Sequence, residues 1–213
     1  VEGSLRKTVY RVNADVEDPN ADITLTASGD YAAYGPFKIE GMVDSLKLHN
    51  LNFSEEHLSF RGAINGTADN VNTENLTADL VLTDALLVSG TNRLPIDSLQ
   101  VIAGHDTEDY IVLRSDIASA EIRGEYNMLE MGDILQNNLA PYFSTTATAP
   151  KPVDPYNIRF RAELFLSPAL QGFVPDLKEA DSVRLQGTLA TGEGLDATLS
   201  AAELVYQANT IRN

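Results

Sequence analysis

The 213-residue chain has no cysteine and no tryptophan, and only 7% of its residues are aromatic. Without cysteine there is no disulfide, thiol nucleophile or cysteine metal site. An all-β chain of this kind fits a compartment where stray disulfides are a hazard, such as a bacterial periplasm. The scarcity of rings disfavours a ring-rich sandwich core or carbohydrate platform. Basic residues are few as well: 15 Lys and Arg stand against 31 Asp and Glu, for a formal net charge of −16. That balance argues against nucleic acid as a partner and against electrostatic docking onto anionic headgroups. No run approaches the roughly 20 apolar residues of a membrane span, and no signal peptide is present.

Catalytic motifs are missing too. His49, His57 and His105 are the only histidines, and none is spaced as a metal pair. The run Asp106-Thr107-Glu108-Asp109 lacks the ligand order and central glycine of an EF-hand loop, so it reads as a solvated hairpin tip. There is no Gly-x-Ser-x-Gly elbow, phosphate loop or zinc signature. Asn52, Asn65 and Asn75 head Asn-x-Ser/Thr triplets, read as coincidence in a chain rich in Asn and Thr. The chain is read as non-enzymatic, with no catalytic residue, metal ligand or cofactor assigned.

What the sequence does contain is one pattern, repeated from end to end. Apolar and polar residues alternate over about five to eight positions, a turn follows, and the alternation resumes. Leu76, Ala78, Leu80 and Leu82 share one face of 75–83. Similar copies run through 158–166 and 183–189. Candidate strands fall at 5–16, 22–28, 36–48, 57–68, 75–88, 94–103, 110–126, 157–167, 182–190 and 194–210, some long enough to hold two. Turn-forming residues separate them, as at Glu17-Asp18-Pro19-Asn20, Ser28-Gly29-Asp30 and Thr191-Gly192-Glu193-Gly194. The rhythm predicts a mainly β chain with a long antiparallel, amphipathic sheet.

Two segments break it. The first, 127–143, predicts an amphipathic helix capped by Asn127 with Glu130 three residues on. Met128, Met131, Leu135, Leu139 and Tyr142 form its apolar stripe. In the second, Ser167 and Pro168 signal the start of a short helix, with Leu170, Phe173, Val174 and Leu177 inward. Between them, the small-residue and proline stretch within 144–156 reads as a flexible loop or linker inside one β-rich unit covering 1–213. The strand-like sequence at both ends is what a segment of a longer chain would show.

The stretch from Arg114-Ser115-Asp116-Ile117 through Gly124-Glu125-Tyr126 resembles a segment of TamB-like proteins of the AsmA-like group. In these a strand ends in Ser-Asp, turns a corner and re-emerges as apolar-x-Gly-x-aromatic before a helix. Phe173-Val174-Pro175-Asp176-Leu177 followed by Leu185-Gln186-Gly187-Thr188-Leu189, and Ile39-Glu40-Gly41-Met42-Val43 with Leu46-Lys47-Leu48, are similar to that family's repeat cadence. The resemblance implies a sheet curved into a taco-like groove. It also implies a parent chain anchored in the inner membrane of a diderm bacterium and crossing the periplasm. There the groove carries phospholipid toward the outer membrane, and other parts of the parent chain can engage an outer-membrane barrel protein to assist assembly.

The expected partners are therefore phospholipid acyl chains. A carrier of this kind needs continuous aliphatic wall, because each exposed methylene costs about 0.8 kcal/mol. Candidate wall residues are Ile39, Leu58, Phe60, Ile64, Leu76, Leu80, Leu82, Ile122, Phe160, Leu164, Leu166, Leu185, Leu189, Leu195 and Leu199. The rival reading is a closed β-sandwich or solenoid module of a surface protein used for binding or adhesion. A conduit leaves an apolar face open; a sandwich buries both apolar faces against each other.

Overall fold

The structure, a computed structural model, describes residues 2–32, 35–51, 57–70, 76–143, 151–173, 177–178, 182–201, 203–206 and 209–212. Fifteen strands follow one another: β1 (Glu2–Arg6), β2 (Val9–Asp18), β3 (Ala21–Asp30), β4 (Phe37–Lys47), β5 (Leu58–Asn70), β6 (Thr77–Ser89), β7 (Asn92–His105), β8 (Asp109–Ser115), β9 (Ala118–Glu125), β10 (Asn157–Phe165), β11 (Leu177–Lys178), β12 (Ser182–Ala190), β13 (Gly194–Ala201), β14 (Glu203–Tyr206) and β15 (Asn209–Arg212). A 3-10 turn at Met128–Glu130 leads into helix α1 (Met131–Phe143), and helix α2 (Pro168–Gln171) follows β10.

Twelve strands form one antiparallel sheet, curled and unclosed, in the order β1 through β10, then β12 and β13. β11, β14 and β15 make a separate three-stranded sheet. The expected meander is borne out. Its longest predicted stretches divide: 5–16 turns over between β1 and β2, 110–126 between β8 and β9, and 194–210 spans β13 to β15.

Two bulges keep the alternation in phase. Between Thr83 and Ala85, β6 carries an extra residue, Asp84, in the left-handed region at φ 51°. A second irregularity lies between Val43 and Leu46 of β4. Both flank the Arg61–Gly62 level of β5. Bulges bend and twist a strand, which curls the sheet at this level while returning Leu46, Ala85 and Leu87 to the apolar face.

Scarce rings are placed over glycines. Phe37 pairs directly with Gly29, and Phe160 with Gly187. In each pair the ring occupies the space of the missing side chain, with a ring carbon within 2.8 Å of where a glycine Cβ would stand. On the opposite face Tyr110 lies in the same way over Gly104. Cross-strand rings thus shield the backbone that glycine leaves bare.

One closed cluster lies at the end where α1 packs, and Val43, Ala85, Leu94 and Leu170 are buried elsewhere along the sheet. Tyr126, Ile134, Ile158 and Leu189 form a buried cluster, with Met128, Met131, Val153, Tyr156 and Leu195 packed around it. This is where α1 lies on the sheet. Ile134, not Leu135, is its buried anchor; Leu135 is exposed. Met128 and Met131 of the predicted stripe pack inward as expected, Ile134 takes the place of Leu135, and the side chains of Leu139 and Tyr142 lie outside the described residues. The Glu130 carboxylate accepts from the backbone N–H of Asp154 at 2.8 Å.

The segment after the helix is tied down from Lys151 on. Lys151 exchanges two hydrogen bonds with the Asn137 side chain and pairs with Asp133. The Tyr156 N–H donates to Thr191 Oγ1. The expected flexible loop is thus anchored over 151–156, and 144–150 lie outside the described residues. In α2 the predicted cap is present: Ser167 Oγ accepts from the Leu170 N–H at 3.1 Å, with Pro168 in the first turn. This helix packs against the start of β7, where Asn92 Nδ2 donates to the Gly172 carbonyl.

Candidate functional site

Alternating side chains place every second residue of a strand on one face, and the pairing register shows what lines up across the sheet. One row runs Leu5, Tyr10, Gly29, Phe37, Ala68, Ala78, Ala103, Ile111, Ile122, Phe160, Gly187, Ala197. The next runs Gly3, Val12, Ala27, Ile39, Gly66, Leu80, Val101, Leu113, Ala120, Ala162, Leu185, Leu199. Both cross all twelve strands, and neither contains a charged residue. A third holds Ala14, Leu25, Gly41, Ile64, Leu82, Leu99 and Ser115, then Ala118, Leu164, Val183 and Ala201 beyond the β8–β9 turn.

Most of this face is neither closed nor freely exposed. Along the middle row Leu80, Leu185 and Leu199 are 41%, 37% and 56% exposed. A shallow cavity of about 300 Å³ lies on it, walled by Tyr10, Ala27, Phe37, Ile39, Gly66 and Leu80 among others. Among the described residues the largest fully buried side chains are Ile134 and Ile158, both in the cluster under α1.

The candidate wall residues sort by position. Ile39, Leu80, Leu185 and Leu199 share the middle row; Ile64, Leu82 and Leu164 share the third; Phe60 and Leu58 continue the same face farther along β5. Leu76 and Leu166 stand just outside β6 and β10, half-buried. Ile122, Phe160 and Leu195 pack against the closed cluster, and Leu189 is buried within it. For Leu189 the expectation of an open wall is corrected: α1 covers it. Small row members missed by sequence reading, such as Ala27, Ala103 and Ala120, carry the same alternation but weak hydrophobic signal.

The opposite face is charged. Arg123 bonds Glu121 at 2.6 Å and Asp106 at 3.1 Å, and its guanidinium lies 5.0 Å from the Tyr110 ring centroid. Arg159 bonds Glu108 at 2.7 Å, Arg161 pairs with Glu121, and Arg184 bonds Glu163 at 2.9 Å. The hydrogen bond from Arg123, with backbone N–H groups of Thr107 and Glu108, holds the Asp106 carboxyl well below its usual range, at about 2. Arg123 and Arg161 likewise lower Glu121.

The acidic run is thus a hairpin tip whose carboxylates are taken up by arginines and backbone. His105 Nδ1 lies 2.9 Å from Asp109 Oδ1. The His49 and His57 rings lie against each other, tilted by 55°, at 4.1 Å between centroids. Among the described residues no group of three or more His, Asp or Glu is placed to hold a metal ion, and no helix is long and apolar enough to cross a membrane. Of the Asn-x-Ser/Thr positions, Asn65 lies on β5 and donates to Glu40; Asn52 and Asn75 lie outside the described residues.

Against known protein families, characterised proteins and solved structures, the chain finds no match.

Proposed function

We propose that the apolar face of the twelve-stranded sheet is a track for lipid acyl chains, in a non-enzymatic segment that moves phospholipid between membranes. The observation that carries this reading is the pair of uncharged rows crossing all twelve strands. Eleven intervals between strands at about 4.8 Å each make a track roughly 50 Å long. One leaflet of a bilayer's hydrocarbon core is about 15 Å, half of its roughly 30 Å. A surface several times longer than its cargo suits passage; a pocket for one bound molecule would be closer to the cargo's own length.

The energetics point the same way. A long apolar face half open to water is costly, and acyl chains would offset that cost without requiring specific polar contacts. The TamB-like resemblance adds the setting: a periplasmic segment of a chain anchored in the inner membrane. The closed-sandwich form of the adhesion-module alternative calls for a second apolar layer over these rows, against which Leu80, Leu185 and Leu199 stand open to solvent.

The test is mass spectrometry of lipids retained after gentle purification without detergent exchange. Phospholipid held in molar excess over protein supports a track. Protein that remains lipid-free after exposure to phospholipid vesicles, while fully folded, removes the reading.

A further inference from the structure

Five of the chain's 15 basic residues, Arg114, Arg123, Arg159, Arg161 and Arg184, stand in three adjacent rows on the polar face of β8, β9, β10 and β12. Two adjoining hollows of about 560 and 480 Å³ open on this face and share Glu121, Arg123, Arg161 and Gln186. The carboxylates are recessed and the guanidinium groups project. Glu108, Glu121 and Glu163 are 19–26% exposed, whereas Arg159, Arg161 and Arg184 are 64–76% exposed. An acidic chain therefore presents cationic forks here, held from below by acids that fix their stems.

We infer that Arg161 and Arg184 form a binding site for a phosphate group, with Gln186 beside them. Arg161 is directly opposite Gln186, and Arg184 is the diagonal neighbour on β12, about 7–8 Å away, within reach of long side chains. Arg161 uses one terminal nitrogen on Glu121, and Arg184 uses Nε on Glu163. Each keeps N–H groups for a ligand. Both arginines line the same hollow, and two forks suit a tetrahedral phosphate with three terminal oxygens; a carboxylate, with two, is satisfied by one. The site lies on the side of Arg161 away from Asp196, which borders the first hollow. Among the described residues no ring lines the hollow that the pair shares, so the phosphate belongs to a small ligand or a lipid headgroup.

The inference is independent of the acyl track, which occupies the other face. Its test uses the whole chain at constant ionic strength, with inorganic phosphate as one probe and neutral vesicles doped with phosphatidic acid as the other. Saturable calorimetric binding of inorganic phosphate, weakened about tenfold in Arg161→Gln and in Arg184→Gln but not in Lys38→Gln on β4, assigns a site for a free phosphate. Binding to the doped vesicles alone, lost in the same two variants, assigns a headgroup site. Circular dichroism checks that each variant is folded. Binding to neither probe, or binding undiminished in the R161Q/R184Q double variant, overturns the inference.

Discussion

Ile39 and Leu80 lean over Gly66 from the strands on either side of it: a Cβ at Gly66 would stand 2.9 Å from Ile39 Cγ2 and 2.9 Å from Leu80 Cδ1. The track surface at this point is made by two aliphatic ends meeting above a bare backbone. Leu80 is partly exposed, so it can yield. Gly66→Ala should therefore cost about 1 kcal/mol or less. At Gly187 the same methyl would lie 2.2 Å from the Asp196 carbonyl oxygen, which only separation of β12 from β13 can relieve. Gly187→Ala should cost about 3 kcal/mol. Urea unfolding of the two variants checks the contrast, and equal costs would contradict it.

A charge discriminates open face from closed core. Leu80→Asp places a carboxylate where water already reaches, so the expected loss is about 1–2 kcal/mol. Ile158→Asp buries an unpaired carboxylate beneath α1, at a cost of about 3–5 kcal/mol. Thermal melts should show Leu80→Asp and Leu164→Asp folded and Ile158→Asp largely unfolded. If acyl chains use the track, the two folded variants should also retain less lipid by mass spectrometry.

Under α1, the Tyr126 hydroxyl is buried and hydrogen-bonds to no described residue. Burial and the nearby Asp109 charge push its ionisation above the usual range. Removing an unsatisfied hydroxyl from a buried site removes a desolvation cost. Tyr126→Phe is expected to be as stable as the parent or more so, by about 1 kcal/mol. A lowered denaturant midpoint would show that the hydroxyl has a partner.

Acid should loosen the β7–β8 tip. Asp106 titrates at about 2 when folded, against an ordinary value of 3.8. A depressed carboxyl pKa contributes stability that is fully present above the unfolded value and lost as pH falls through the folded one. Melting temperature attributable to this ion cluster should hold from neutral pH to about 4, then fall toward about 2. In Asp106→Asn that acid-side slope should be shallower. An unchanged slope would mean Asp106 and Arg123 contribute nothing measurable, as is common for exposed pairs.

Much of the architecture was legible from the chain alone. Side-chain alternation is a local property of extended backbone, so Leu76 through Leu82, or Val183 through Leu189, declare a shared face without knowledge of any neighbour. The Ser167-Pro168 cap is equally local. Local signals also erred by one position at α1, where Ile134 and Leu135 are both aliphatic and only the sheet beneath selects which is buried. The bulge at Asp84 was hidden for a related reason: an extra residue shows itself only against a partner strand.

Cover is a tertiary matter. Leu80 and Leu189 sit in near-identical alternating segments, yet one faces an open track and the other is enclosed. The difference is made by α1, which lies over Ile158 and Leu189 of β10 and β12 and does not reach Leu80 on β6. The arginines are likewise unremarkable along the chain, spread from position 114 to 184. Strand pairing brings them onto one face, and recessed glutamates turn their forks outward. The sequence by itself determined which residues share a face, because that follows from backbone geometry. Which parts of a face are closed, and which charges meet, was decided by tertiary structure, because burial and Coulomb energy depend on neighbours distant in the chain.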